Sequence, residues 1–194
     1  MLVDPVVTIV SAAGQFRSPD DWPRPTPTTD FELGGQAISD SSAGHEVRVW
    51  RAWLAGDSVM CAPEDDIAEA TALFSRPGIW HIGLAFDQLM RPCVTFMDRA
   101  GAWLWWYDPL ESSMVFLPIP GATSPRISLD DKRAEFISGS DVVLAYVRDG
   151  WLCVRLQRER YSNENRIYLL PAGVSRLDRI GMSLACRMQY KLSS

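Results

Sequence analysis

Two histidines and four cysteines are all that this 194-residue chain holds of the residue types best suited to bind a soft metal or attack a substrate. The cysteines, Cys61, Cys93, Cys153 and Cys186, lie far apart with no CxxC pair, which argues against a zinc site or a disulfide framework. They read as reduced, mostly buried thiols in a chain made in the cytoplasm. GxSxG, HExxH and P-loop patterns are missing, and with them the sequence marks of several hydrolase and nucleotide chemistries. No apolar run approaches the length needed to cross a bilayer. The opening MLVDPVVTIV has no basic residue and carries Asp4 and Pro5, so it does not read as a signal peptide. Positive charge is short as well. The net charge of -5 leaves the chain without the basic excess that drives nucleic-acid binding.

What is present supports a sizeable core. The hydrophobic fraction is 47% and the charged fraction 22%, enough for one domain, or one domain with an arm. Residues 18–30, SPDDWPRPTPTTD, hold four prolines, which exclude helix interior and central strand. This stretch reads either as an extended arm lying on a neighbour or as a surface linker. A Gly/Ser-rich turn region follows, from Gly34 to Gly44. EVRVWRAWL, 46–54, then alternates as a strand does. PEDDIAEATALF, 63–74, is the one helix candidate. It has proline at its start, acids in its first turn, and Ile67, Ala70, Thr71 and Phe74 on one face.

From residue 80 the text is strand and turn. Short apolar runs, rich in aromatic or β-branched residues, occupy 80–86, 91–97, 102–107, 113–119, 133–137, 141–147, 151–157 and 166–170. Asp149-Gly150 marks a type I′ hairpin between two of them. At the C-terminus, Leu177, Ile180, Gly181, Leu184 and Met188 could line a helix, but Ile180, Met182, Leu184, Cys186, Met188, Tyr190 and Leu192 alternate without a break and favour a long strand, whose edge needs a partner. The fold class is therefore mainly β. Antiparallel sheets form propeller-blade-like repeats or a β-sandwich, with an extended N-terminal arm and at most one short helix.

Two stretches align. LAFDQLMRPCVTFMDRAGAWLWWYDP starts at Leu84, and ISLDDKRAEFISGSDVVLAYVRDGWLCVRLQRER starts at Ile127. Each has an apolar residue before Asp (Phe86-Asp87, Leu129-Asp130), then a polar turn and a strand. Each ends in acid, glycine and Trp-Leu (Asp98, Gly101, Trp103-Leu104; Asp149-Gly150-Trp151-Leu152). The offset of roughly 43 to 48 residues is close to a propeller-blade period of about 40–50. The expected organisation is an arm over 1–45 and a β domain over 46–194. That domain contains blade-like repeats at about 84–126 and 127–170, a third incomplete one from 46–60, and the C-terminal strand. So few blades leave sheet faces to be covered by each other or by neighbouring copies.

GAWLWWYDP, 101–109, concentrates the aromatics. In a strand, Trp103, Trp105 and Tyr107 point one way, and Leu104 and Trp106 the other. Both faces call for cover. For the aromatic row the choices are a second sheet of the same chain, another subunit or a sugar. Catalytic constellations are hard to assemble. His81 and Cys93 flank the Asp87–Arg91 hairpin and could form a dyad, but a buried structural histidine is the simpler reading. Asp65–Asp66 and Asp130–Asp131 are adjacent pairs, better explained as a helix start and a turn. The cluster Arg155, Arg158, Arg160 reads as a solvated or intersubunit face. No catalytic residue, cofactor or metal ligand is expected, and the chain is expected not to be an enzyme.

The run GIWHIGLAFDQLMRPCVTFMD…GAWLWWYDP, with SLDDKRAEF, SDVVLAYVRDGWLCVRLQRERY and RIGMSLACRMQY, resembles structural tail proteins of tailed, short-tailed bacteriophages, of the tube, nozzle or fibre-attachment type. The likeness covers about residues 46–192. It implies a virion component made in the host cytoplasm and present in several copies around the tail axis. It also implies contacts with copies of itself and with other tail proteins. Net acidity would suit a conduit through which DNA slides without specific binding. Candidate interface residues are Trp103, Trp105, Tyr107, Trp22, Arg155 and Tyr190. The alternative is a monomeric carbohydrate-binding module using the aromatic row as its platform.

Overall fold

A computed structural model describes residues 6–9, 35–40, 47–87, 89–130, 141–182 and 188–194. Strands β1 (Val6–Ile9) and β2 (Gly35–Asp40) come first, followed by β3 (Val47–Ala55), β4 (Ser58–Pro63) and β5 (Thr71–Ser75). Next are β6 (His81–Phe86), β7 (Pro92–Asp98), β8 (Gly101–Asp108) and β9 (Ser113–Ile119). They are followed by β10 (Thr123–Asp130), β11 (Asp141–Arg148), β12 (Trp151–Leu156) and β13 (Asn165–Leu169). β14 (Arg176–Met182) and β15 (Met188–Ser193) end the series. Among the described residues the only helical pieces are the single 3-10 turns Ile67–Glu69 and Gln157–Glu159.

The strands form four sheets in chain order. The first three, β2 to β5, β6 to β9 and β10 to β13, are four-stranded antiparallel meanders. The last joins β14 to β15 antiparallel and β15 to β1 parallel. One edge strand of each sheet lies against that of the next: β2 on β6, β6 on β10, β10 on β14. Successive blades of a propeller meet in the same way. Three apolar layers fill the gaps. Ala52, Val59, Ile82, Leu84, Val94, Phe96 and Trp105 lie between the first and second sheets. Leu104, Trp106, Ile119, Leu144, Tyr146 and Tyr161 lie between the second and third. Val143, Leu152, Val154, Leu177, Ile180, Tyr190 and Leu192 lie between the third and fourth. Each fully buried aliphatic or phenylalanine side chain contributes about 1.5–3 kcal/mol. Both faces of the middle strands are covered, which is why GAWLWWYD and DVVLAYVR read as nearly unbroken apolar text.

The two aligned stretches are β6–β8 and β10–β12, equivalent positions in consecutive sheets. In the hairpin between β11 and β12, Asp149 (φ 52°) and Gly150 (φ 76°) both take the left-handed conformation, as a type I′ turn requires.

Several expectations are corrected. The count of two blades and a fragment is short, because three four-stranded sheets and a fourth of three strands are present. Residues 1–45, read as an arm, hold β1 and β2. The Gly/Ser-rich stretch read as turn contains β2, which pairs along its whole length with β3. Residues 63–74 are not a helix. Asp66 caps only one 3-10 turn, accepting from the Ala68 amide at 3.2 Å. Thr71 to Ser75 then pair with β4, because Phe74 is buried further by joining the core as a strand than it would be on an exposed turn of helix. The long C-terminal strand is instead two strands, β14 and β15, paired antiparallel. The proline-rich stretch 18–30, the expected strand at 133–137 and Cys186 lie outside the described residues.

Candidate functional site

The aromatic row divides as alternation along a strand dictates. Trp105 lies in the layer shared with the first sheet, its ring 4.9 Å from that of Phe74 on β5. Trp103 packs parallel to Phe96, and the Arg76 guanidinium sits 4.0 Å above its ring, a cation–π geometry. Tyr107 is covered by the Arg91 guanidinium at 4.2 Å. On the other face, Leu104 and Trp106 enter the layer shared with the third sheet. The row is therefore covered by the chain's own first sheet and by its own arginines.

Four buried aspartates stand at strand ends and each holds an arginine; Asp87, Asp98 and Asp108 also close the turn that follows them. Asp87 Oδ1 accepts from the Leu89 and Arg91 amides, both at 2.9 Å, and Oδ2 accepts from Arg91 Nε at 2.7 Å. Asp98 Oδ1 accepts from the Ala100 amide and the Trp103 indole, and Oδ2 accepts from Arg76 Nε at 2.6 Å. Asp108 Oδ1 accepts from the Leu110 amide and from Arg160 Nε at 3.1 Å. Asp141 Oδ1 accepts from the Arg158 amide at 3.0 Å, with Arg158 Nε 3.4 Å from Oδ2. A carboxylate that accepts several N–H bonds is held in its charged form. Burial pushes Asp98 up, but Arg76, the Ala100 amide and Trp103 together hold it below its usual 3.8. Arg160 does the same for Asp108.

Two of these arginines, and a further donor to Asp87, come from one segment. Residues 157–161, QRERY, follow β12 and bridge the second and third sheets. Gln157 Nε2 donates to Asp87 at 3.3 Å, Arg158 pairs with Asp141, and Arg160 pairs with Asp108. Arg160 (φ 52°) and Tyr161 (φ 55°) both take the left-handed backbone, a strained pair for non-glycine residues. That backbone turns the Tyr161 ring into the core, edge-on to Trp106 at 4.9 Å. Burial and the neighbouring Cys93 thiol raise the Tyr161 phenol well above its usual range. The segment acts as a clip between two sheets.

At the opposite end of the same junction His81 meets the third sheet. Its Nε2 lies 3.1 Å from the Pro125 carbonyl, and the Arg126 guanidinium contacts its ring. Arg126 Nε continues to the Asp178 carbonyl on β14 at 2.5 Å. One arginine thus ties edge strands of three sheets, β6, β10 and β14. Burial, with Arg126 adding to it, lowers His81 to about 4, so the ring is neutral at physiological pH. Arg155, a candidate interface residue, is engaged within the third sheet. Its Nε donates to the Tyr146 hydroxyl at 2.7 Å, which donates to Glu164. Arg148 donates to the same carboxylate. Tyr190, another candidate, is buried between the third and fourth sheets. Trp22 lies outside the described residues.

His81 and Cys93 do not meet. In the β6–β7 register His81 faces Met97, and Cys93 faces Ala85. Burial raises the Cys93 thiol and lifts those of Cys61 and Cys153 to about 12 and about 11, which leaves them protonated and poor nucleophiles at neutral pH. Among the described residues no group of three or more His, Cys, Asp or Glu side chains is placed to hold a metal ion, and no helix is long and apolar enough to cross a membrane. Sequence reasoning missed the clip. Its arginines and their aspartates are separated by up to 52 positions, and no local pattern joins them.

Together these features define a class of fold: mainly β, with blade-like sheets stacked face to face and ionisable residues used as ties between them. Comparison with protein-family models, with curated proteins and with solved structures yields no match.

Proposed function

We propose that the chain is a non-enzymatic structural subunit of a bacteriophage tail, assembled in several copies around the tail axis and contacting other tail proteins. The observation that carries the assembly reading is the apolar surface at one end of the second sheet. Leu89 and Leu110, 71% and 72% exposed, stand with Met90 on the two neighbouring turns β6–β7 and β8–β9. Large apolar side chains grouped at one end of a sheet are what a subunit contact uses. Phe116 on edge strand β9 and Leu169 on edge strand β13 are also exposed, as separate sites away from that end. The phage assignment itself is supported by the sequence phrases, most of which fall on β6–β8, β11–β12 and β14–β15. The non-enzymatic reading is supported by the employment of the ionisable groups: the buried carboxylates and His81 already hold backbone or arginine partners. In this setting the net charge of -5 would let DNA pass a conduit without adhering.

Labelling tests this directly. Antibody raised against the purified chain should decorate the tails of intact particles, and particles made without the chain should have incomplete tails. A chain found only in the soluble lysate, with tails complete in its absence, contradicts the proposal.

A further inference from the structure

The fourth sheet is built unlike the others. Each of the first three is cut from one continuous stretch of chain, whereas the fourth takes β14 and β15 from near the C-terminus and β1 from near the N-terminus. β1 pairs parallel to β15, with Val6, Val7, Thr8 and Ile9 in register with Gln189, Tyr190, Lys191 and Leu192. A parallel pair cannot arise from a hairpin and needs a long connection. Without β1, β15 would present an open backbone edge beside the buried Tyr190 and Leu192.

We infer that β1 is exchanged between copies, so that residues 6–9 of one chain complete the fourth sheet of the next. An identical segment from a second copy makes the same ladder, so exchange costs no contact. Reach does not prevent it. Residues 10–34 separate β1 from β2 and span about 80 Å fully extended, against a diameter of about 40 Å for a domain of this length. Each chain gives one strand and accepts one, a head-to-tail relation that closes into a ring or runs on as a filament. This inference rests on the multi-copy reading above and names the contact that would produce it.

Disulfide trapping with two single variants tests it. Thr8→Cys and Lys191→Cys, in chains carrying tags of different length, are co-expressed and oxidised. The same two substitutions are also combined in one chain. Exchange predicts that a band shifts from the mass of one chain to that of two, contains both tags, and is absent when either single variant is oxidised alone. An intramolecular disulfide in the double variant without the two-tag band overturns exchange, and so does the absence of any disulfide. The solution mass of the unaltered chain separates the two ideas. A multimer without the two-tag band removes strand exchange and leaves the assembly reading standing, whereas a monomer without that band removes both.

Discussion

The second sheet has two neighbours and is joined to them by different chemistry. Toward the first sheet the contact is mainly aromatic: Phe74, Phe96, Trp105 and Phe116 meet ring to ring, and Arg76 lies over Trp103 while donating to Asp98, among the described residues the one buried carboxylate tie on this side. Toward the third sheet an apolar layer is held at both ends by polar ties. The 157–161 clip closes one end, and His81 with Arg126 closes the other. Aromatic packing tolerates small shifts, because dispersion and ring quadrupoles act over a range of angles. Hydrogen-bonded carboxylates and a buried imidazole fix one geometry and carry a pH dependence. The third sheet is therefore tied to the second at both ends of the junction, whereas the first sheet has, among the described residues, the single Arg76–Asp98 tie beside a broader aromatic contact.

Substitutions should break the two junctions unequally. The largest loss is expected from Trp106→Ala. Its ring is 2% exposed and meets Tyr161 edge-on, so the cost should be about 3–5 kcal/mol, read from urea unfolding. Phe74→Ala, on the aromatic side, removes a partly exposed ring and should cost about 2 kcal/mol. Equal losses at the two positions would erase the distinction.

The pH response should sharpen the contrast. His81 takes its proton at about 4 in the folded chain, against 6.5 for an ordinary histidine. The unfolded chain binds that proton first, so stability should fall as pH drops from 6.5 toward 4 and then level off for this group. The effect should reach up to about 3 kcal/mol. His81→Gln should flatten that part of the curve of melting temperature against pH, and an unchanged curve would remove His81 as its source. Asp108 is held below 3.8 by Arg160. Its stabilisation is present above the ordinary carboxyl range and is lost as pH falls through the lowered value. Asp108→Asn should therefore reduce the loss of stability in strong acid. This is the smallest of the expected changes, because Arg160 is substantially exposed and solvent screens the pair.

The same contrast explains what could be read from the residues. β6 to β8 and β11 to β12 were legible because alternation, aromatic content and the Asp-Gly turn all point to strand. β10 was hidden by Pro125 and by the polar text TSPRISLD, and β2 by its Gly and Ser neighbours. The 63–74 segment imitates a helix start with proline and acids, yet the sheet edge claims Thr71 to Phe74. Cover on both sides of Trp105 and Trp106 followed from the apolar residues on each face, but which sheet covers which ring did not. The clip was illegible. Its left-handed Arg160 and Tyr161 carry no glycine to announce them, and its partners Asp87 and Asp108 lie in another sheet.

The most direct test of a multi-copy tail subunit is the mass of the purified chain in solution, measured by light scattering across micromolar concentrations. Assembly through the apolar sheet ends predicts a defined multiple of 21.7 kDa. A constant mass of one chain over that range would contradict it.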